Sequence, residues 1–236
     1  MTFAISTILK NEHDYINQFI DYHLKLGFTF FYIMIDNIYY EQDSYENYIS
    51  EEYKQYIKFY YITREYDLIK YKLIIENNNY DTNQYWIDFF NDNVLNEIKE
   101  KWVLIIGCDS FMYFNSKTVN NFIIDNNFSE DISQILFFWF VVCNLDNISN
   151  SNLINNLNKM YTEVSSNHCY TMGKISKIEK LITGSHCFSS KTEKQKIYIC
   201  DDKYRMFGKN ILSSDIFQHT IFDKYDENRP KNFCSI

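Results

Sequence analysis

Proline occurs once and glycine five times in 236 residues. No G-x-G-x-x-G or G-K-[ST] loop is present, which argues against a dinucleotide fingerprint or a P-loop. The six cysteines (Cys108, Cys143, Cys169, Cys187, Cys200 and Cys234) include no C-x-x-C pair. Several lie in apolar runs, where a free thiol behaves as a small core residue. The reading is a reducing compartment without a disulfide framework. No long lysine and arginine cluster offsets the net charge of -8, so binding to a nucleic-acid backbone is disfavoured. The most apolar run, Ile135 to Cys143, covers about half of the ~20 residues a membrane helix needs. The N-terminus enters a strand pattern at once, without a basic start and a long apolar stretch. These absences predict a cytoplasmic chain with no membrane span and no nucleic-acid partner. No internal repeat is visible, and the asparagine runs are too short to be low-complexity linkers.

What is present suits one sizeable α/β domain, alone or with a short appendage. Hydrophobic residues make up 46% of the chain, including 21 Tyr and 20 Phe. The bias toward Asn, Ile, Lys and Tyr has the look of AT-rich coding and says little about chemistry. The organising stretch is Lys101 to Phe114. An unbroken apolar run from Trp102 to Ile106, ended by Gly107, reads as a strand buried on both faces. Asp109 follows at the strand's C-terminal end, where ligands collect in open α/β sheets. The competing reading is a turn or capping aspartate.

The first strand is Phe3 to Leu9. Asn11 is then a helix N-cap with Asp14 as a capping-box acid, and Ile16, Phe19, Ile20 and Leu24 keep helical spacing up to a stop at Gly27. His23, near that apolar face, reads as structural. Phe28 to Ile35 is a second strand, so this is a βαβ unit with a parallel sheet. Asp36 closes the second strand as Asp109 closes the later one. A short helix ends near Lys54, Ile57 to Ile62 is a third strand, and Tyr66 to Lys99 is helical around a turn at Asn77 to Asn79. Past Phe114, a helix from Ser116 to Ile124 with Ser116 as cap precedes the strand Ile135 to Cys143. Gly184 to Phe188 is a turn and strand, and the segment from Asp201 onward is polar.

Three segments together resemble the GT-A glycosyltransferases, particularly the family-2-like and family-92-like group. The first is Ile8-Leu9-Lys10-Asn11-Glu12, followed by Tyr22-His23, Leu26-Gly27, Phe31-Tyr32-Ile33 and Asp36-Asn37. The second is Trp102 to Phe111, similar to the group's W-apolar-D-x-D-E-F segment. The third is Gly173-Lys174 with His186 downstream, and Trp139 resembles the Trp between the later segments. Coverage runs from about residue 3 to 188, and the order and spacing carry the match. One departure stands out: D-x-D-E-F is Gly107-Cys108-Asp109-Ser110-Phe111 here, leaving Asp109 as the surviving acid.

The resemblance implies an α/β, GT-A-like (Rossmann-related) three-layer fold with a mixed, mostly parallel central sheet over 1–200, and the polar residues 201–236 read as an extension packed on that domain or trailing from it. It implies metal-assisted transfer of a sugar from a nucleoside-diphosphate donor, a UDP-sugar in most of the group, to a hydroxyl of a glycan or protein acceptor. Mn²⁺ or Mg²⁺ would sit between Asp109, the diphosphate and His186. Losing one carboxylate weakens such an oxygen-ligand site. Lys10, Asn11, Glu12, Asp36, Asn37 and Lys174 would meet the nucleotide sugar, with Lys174 on the diphosphate. Asp109 is the catalytic candidate, and Asp146 is the best-placed candidate base, with a loop aspartate as its competing reading. Asn11 and Glu12 are equally explained by helix capping, and Lys174 by a solvated lysine. The pairs His168-Cys169 and His186-Cys187 each offer one ligand at most to a shared ion, because neighbours on a strand face opposite ways. The alternative function is a catalytically impaired nucleotide- or sugar-binding or assembly module.

Overall fold

The computed structural model describes residues 1–10, 13–36, 45–63, 84–114, 117–128, 130–143, 161–182, 187–192, 194–200 and 206–212. Its frame is an eight-stranded sheet in the order β10-β9-β5-β6-β4-β1-β2-β3. The strands are β1 (Phe3–Leu9), β2 (Phe30–Asp36), β3 (Ile57–Ile62), β4 (Trp102–Ile105), β5 (Ile132–Cys143), β6 (Tyr161–Lys174), β9 (Lys194–Cys200) and β10 (Met206–Leu212). A separate two-stranded sheet pairs β7 (Ile178–Leu181) with β8 (Phe188–Ser190).

The half built from β3, β2, β1 and β4 is parallel throughout. Beyond it β4 meets β6, β6 meets β5 and β9 meets β10 antiparallel, while β5 and β9 run parallel. The sheet is therefore mixed, by four parallel contacts to three antiparallel ones. Around β1, β2 and β4 both faces are buried, which accounts for the unbroken apolar runs. Alternate residues Phe3, Ile5, Phe31, Ile33, Trp102 and Leu104 pack on one side, with α1 (Ile16–Lys25) and a later helix contributing Phe19, Phe122 and Ile123. Ala4, Tyr32, Met34, Val103 and Ile105 face the other side, against Trp86, Ile87, Phe90 and the β7–β8 hairpin. Full burial of each large apolar side chain contributes about 1.5–3 kcal/mol. Three layers result, a Rossmann-related α/β fold of the class expected.

The structure redraws several local expectations. Helix α1 begins at Ile16 with Tyr15 as N-cap and no side-chain cap bond, while Asn11 lies outside the described residues. The stop at Gly27 holds: with φ of +96°, Gly27 N–H bonds Leu24 O at 2.9 Å and Phe28 N–H bonds His23 O at 3.1 Å. This paired closure needs a left-handed residue. Phe28 and Thr29 turn the chain, Thr29 bonding Phe3 O through its N–H at 2.7 Å and its hydroxyl at 3.0 Å, so β2 starts at Phe30. A one-turn helix α2 (Glu51–Lys54) precedes β3. Helix α3 (Gln84–Phe89) runs into a π turn over Phe90–Val94. Thr118, two residues after the expected Ser116, caps α4 (Val119–Asp125), its Oγ1 accepting from Asn121 N–H at 3.2 Å. Strand β10, within the expected extension, pairs antiparallel with β9 at the edge of the sheet. No helix among the described residues is long and apolar enough to cross a membrane.

Candidate functional site

The chain steps outward from β1 to β2 to β3, then returns with β4 on the other side of β1. This reversal makes the C-terminal ends of β1 and β4 the topological switch point, the place where open α/β sheets take ligands in a crevice. The register Leu9↔Ile35 carries Lys10 and Asp36 one step further together, and Ser6↔Ile105 brings Gly107 to Ser110 to the same edge. Asp36 and Asp109 thus share one rim, two strand spacings apart, or roughly 10 Å.

Asp36 is 3% exposed. A carboxylate so buried needs donors, and Tyr85 on α3 supplies one, its hydroxyl 2.6 Å from Oδ2. The Lys10 ammonium lies 3.7 Å from the same oxygen, with half of its side chain in water.

The Asp109 side of the rim is a tight turn. Ser110 N–H bonds Gly107 O at 3.1 Å. The Ser110 hydroxyl donates to Asp109 Oδ1 at 3.0 Å and also meets the Tyr170 hydroxyl. Tyr170 comes from β6 and is mostly buried. Burial raises its phenol pKa well above the usual tyrosine value; the Ser110 hydrogen bond opposes this, the Asp109 charge adds to it, and a Gly107 backbone bond opposes it again. Tyr170 is therefore a neutral hydroxyl at neutral pH. Gly107 stands where the resembling group has its first acid. A Cβ there would lie 2.6 Å from Asp109 Oδ1 and 3.3 Å from the Tyr170 hydroxyl, so the Asp109 carboxylate occupies that space.

Behind this turn, α1 grips Met112. Tyr22 donates its hydroxyl to Met112 O at 2.7 Å, and Met112 N–H donates to His23 Nε2 at 3.3 Å. The other ring nitrogen, Nδ1, is 2.8 Å from Phe19 O. Met112 needs an acceptor and Phe19 O a donor, so His23 is the neutral Nδ1–H tautomer. Burial lowers its pKa to about 4, against the raising effect of the Phe19 bond.

Lys174 is not at this rim. Its register partner is Trp102, the first residue of β4, which places it at the opposite end of that strand from Asp109. Its ammonium donates to Glu130 O at 2.9 Å and to Glu130 Oε2 at 2.6 Å. Antiparallel β6 runs away from the Asp36–Asp109 rim and carries Lys174, the expected diphosphate contact, with it. Asn11, Glu12, Asn37, Asp146 and His186 lie outside the described residues, so the structure joins Lys10, Asp36 and Asp109 alone from the expected set. Ile182 N–H bonds Cys187 O at 2.8 Å, which closes the hairpin on either side of the His186 segment.

Of the expected Mn²⁺ or Mg²⁺ ligands, Asp109 lies among the described residues and His186 lies outside them. The described residues contain no group of three His, Cys, Asp or Glu side chains able to hold a metal. Asp109 would offer such an ion one carboxylate, whose Oδ1 also accepts from Ser110, with donor phosphates and water supplying further oxygens. Two site residues were not singled out from sequence. Tyr85 and Tyr170 are two among 21 tyrosines, and only the fold shows that one serves Asp36 and the other meets Ser110.

No protein-family model matches the chain. No curated protein matches it either. Among solved structures, CMP:2-keto-3-deoxy-manno-octonic acid synthetase complexed with CTP matches over 75% of this chain and 75% of that chain, at 9% identity and a TM-score of 0.36. A likeness this weak carries no argument about what the present chain binds.

Proposed function

We propose that the chain binds a nucleoside-diphosphate sugar, with a UDP-sugar as first candidate, in the crevice between β1 and β4 and transfers the sugar to an acceptor hydroxyl. The observation that carries this reading is the placement of Asp36 and Asp109 on one rim around the switch point. Asp36, oriented by Tyr85, offers a fixed acceptor to the nucleoside. Lys10 sets a cation beside it, half in water and within reach of a phosphate. Asp109, exposed at the turn, faces the other side of the crevice. Glycosyl transfer also requires stabilisation of the leaving diphosphate and removal of the acceptor proton.

A second reading, a nucleotide- or sugar-binding module without transfer, is favoured by the turn itself. Gly107 has no carboxylate and Asp109 Oδ1 is held by Ser110. Calorimetry with UDP, with and without Mn²⁺, tests both readings. UDP binding that weakens about tenfold or more in Asp109→Ala, together with sugar transfer or donor hydrolysis, supports the transferase. Binding with no turnover of any donor supports the module. No binding of any nucleotide removes both.

A further inference from the structure

We propose that Tyr22 and His23 are positioning residues for the Asp109 turn, and that they set the affinity of the crevice for a nucleoside diphosphate. The second clause rests on the proposed function; the first does not.

Residues 111–114 belong to no helix or strand, so no ladder of backbone bonds holds them. What holds Met112 is the side-chain pair on α1. Tyr22 takes its carbonyl and His23 its N–H, so both polar groups of one peptide residue are fixed by two consecutive helix residues. Phe111 fills the space between. Its ring is near-parallel to His23, 5.9 Å away at 10°, and edge-on to Tyr22, 5.2 Å away at 86°. One residue separates Met112 from Ser110, and Ser110 holds Asp109. Fixing Phe111 and Met112 therefore fixes where the Asp109 carboxylate emerges.

The clamp has a rigid base. The Gly27 closure secures the end of α1, and Val119 N–H of α4 bonds Leu26 O at 2.9 Å. His23 can only accept from Met112 because Nδ1 keeps its proton on Phe19 O. An apolar side chain of similar size would fill the space and leave Met112 N–H buried without its acceptor. Simple packing does not require that nitrogen, and this separates a positioning role from a filling one.

The test compares amide hydrogen exchange over 107–114, and UDP affinity by calorimetry, in the wild type, Tyr22→Phe, His23→Leu and His23→Gln. In His23→Leu, exchange at Met112 should speed up by about tenfold or more and UDP binding should weaken by about tenfold. His23→Gln should stay closer to wild type on both measures, because its side-chain oxygen can take the acceptor place. Tyr22→Phe should fall between, and because it removes one hydroxyl from a partly buried ring, it decides alone if His23→Leu does not fold. Met112 exchange as slow as wild type in the variants that fold would overturn the clamp. Faster exchange with unchanged UDP affinity would overturn its role in binding. If the wild type binds no UDP, the proposed function and the affinity clause fall together, and exchange alone decides whether the pair holds the turn.

Discussion

Tyr85 donates its hydroxyl to Asp36 Oδ2 at 2.6 Å, tying α3 to the last residue of β2. A hydrogen bond to a buried charge contributes more than a neutral one, and removing its donor exposes the desolvation cost of the carboxylate. Tyr85→Phe should therefore lower unfolding stability by about 1.5–3 kcal/mol, measured by urea denaturation, and weaken UDP binding. A change below about 0.5 kcal/mol, the range of an ordinary surface substitution, would mean that the bond does not hold Asp36.

Gly107→Ala probes the other side of the crevice. The added Cβ would meet Asp109 Oδ1 at 2.6 Å, and the free end of that side chain must swing away from Ser110. The backbone can accept the change, since Gly107 is not among the positive-φ glycines. The expected result is a stability cost near 1 kcal/mol, one ordinary hydrogen bond, with a larger relative loss of UDP affinity. Ser110→Ala should reproduce the affinity loss by freeing the same carboxylate. Equal affinity in both variants would disconnect the Asp109 orientation from binding.

The parallel half of the fold was legible because β1, β2 and β4 are buried on both faces and the partly exposed β3 is still mostly apolar. Ile57–Ile62 was read with the bounds it has, and Trp102 opens β4 as expected. Asp36 and Asp109 followed from the strand-end rule. Strand β6 was not legible, because Ser165, Ser166, Asn167 and His168 carry no apolar pattern; pairing with β5 and β4 makes it a strand. The tyrosine partners of Asp36 and Ser110 escaped for a related reason. Tyr85 is 49 residues from Asp36 and Tyr170 is 60 from Ser110, separations that no local pattern encodes. The apparent N-cap at Ser116 missed by two residues, since Thr118 has the same capping chemistry.

Gly173 shows how a glycine beside the expected site acts through packing. A Cβ there would lie 2.7 Å and 2.8 Å from the Phe188 ring and 3.0 Å from Ile178. Phe188 cannot retreat freely, because the Gln134 side chain donates to Phe188 O at 2.8 Å and accepts from Phe188 N–H at 2.9 Å. Gly173→Ala should cost about 1–3 kcal/mol by overpacking, read as a lower urea midpoint. Full stability would show that the β7–β8 hairpin lifts off without cost.

His23 makes stability fall on acidification. Its folded pKa is about 4, below the ordinary value of 6.5. Between those values the unfolded chain binds the proton and the folded one does not, so lowering the pH favours unfolding. The contribution is complete above pH 6.5 and is lost down to about pH 4, amounting to roughly 3 kcal/mol. Urea midpoints measured from pH 7.5 to 4 should show that slope, and His23→Gln should flatten it. An unchanged slope in His23→Gln would assign the acid sensitivity to other groups.

Lys174 supplies the sharpest test of where the crevice lies. Its ammonium is buried at the Trp102 end of β4 and bonded to Glu130, whose own side chain is 84% exposed. Lys174→Met keeps the bulk of the stem, returns Glu130 to water and leaves no buried charge behind. Glu130→Ala instead leaves the ammonium with the residue-130 carbonyl as its remaining partner from the pair. A buried charge stripped of its counterion costs more than an apolar replacement, so Glu130→Ala should lower the melting temperature more than Lys174→Met. Neither should move UDP affinity beyond about twofold, well under the tenfold that 1.4 kcal/mol of binding energy represents. Loss of UDP binding in a folded Lys174→Met would place the nucleotide at the opposite end of β4, because the register puts the two ends too far apart for one diphosphate to touch Lys174 and Asp109 together.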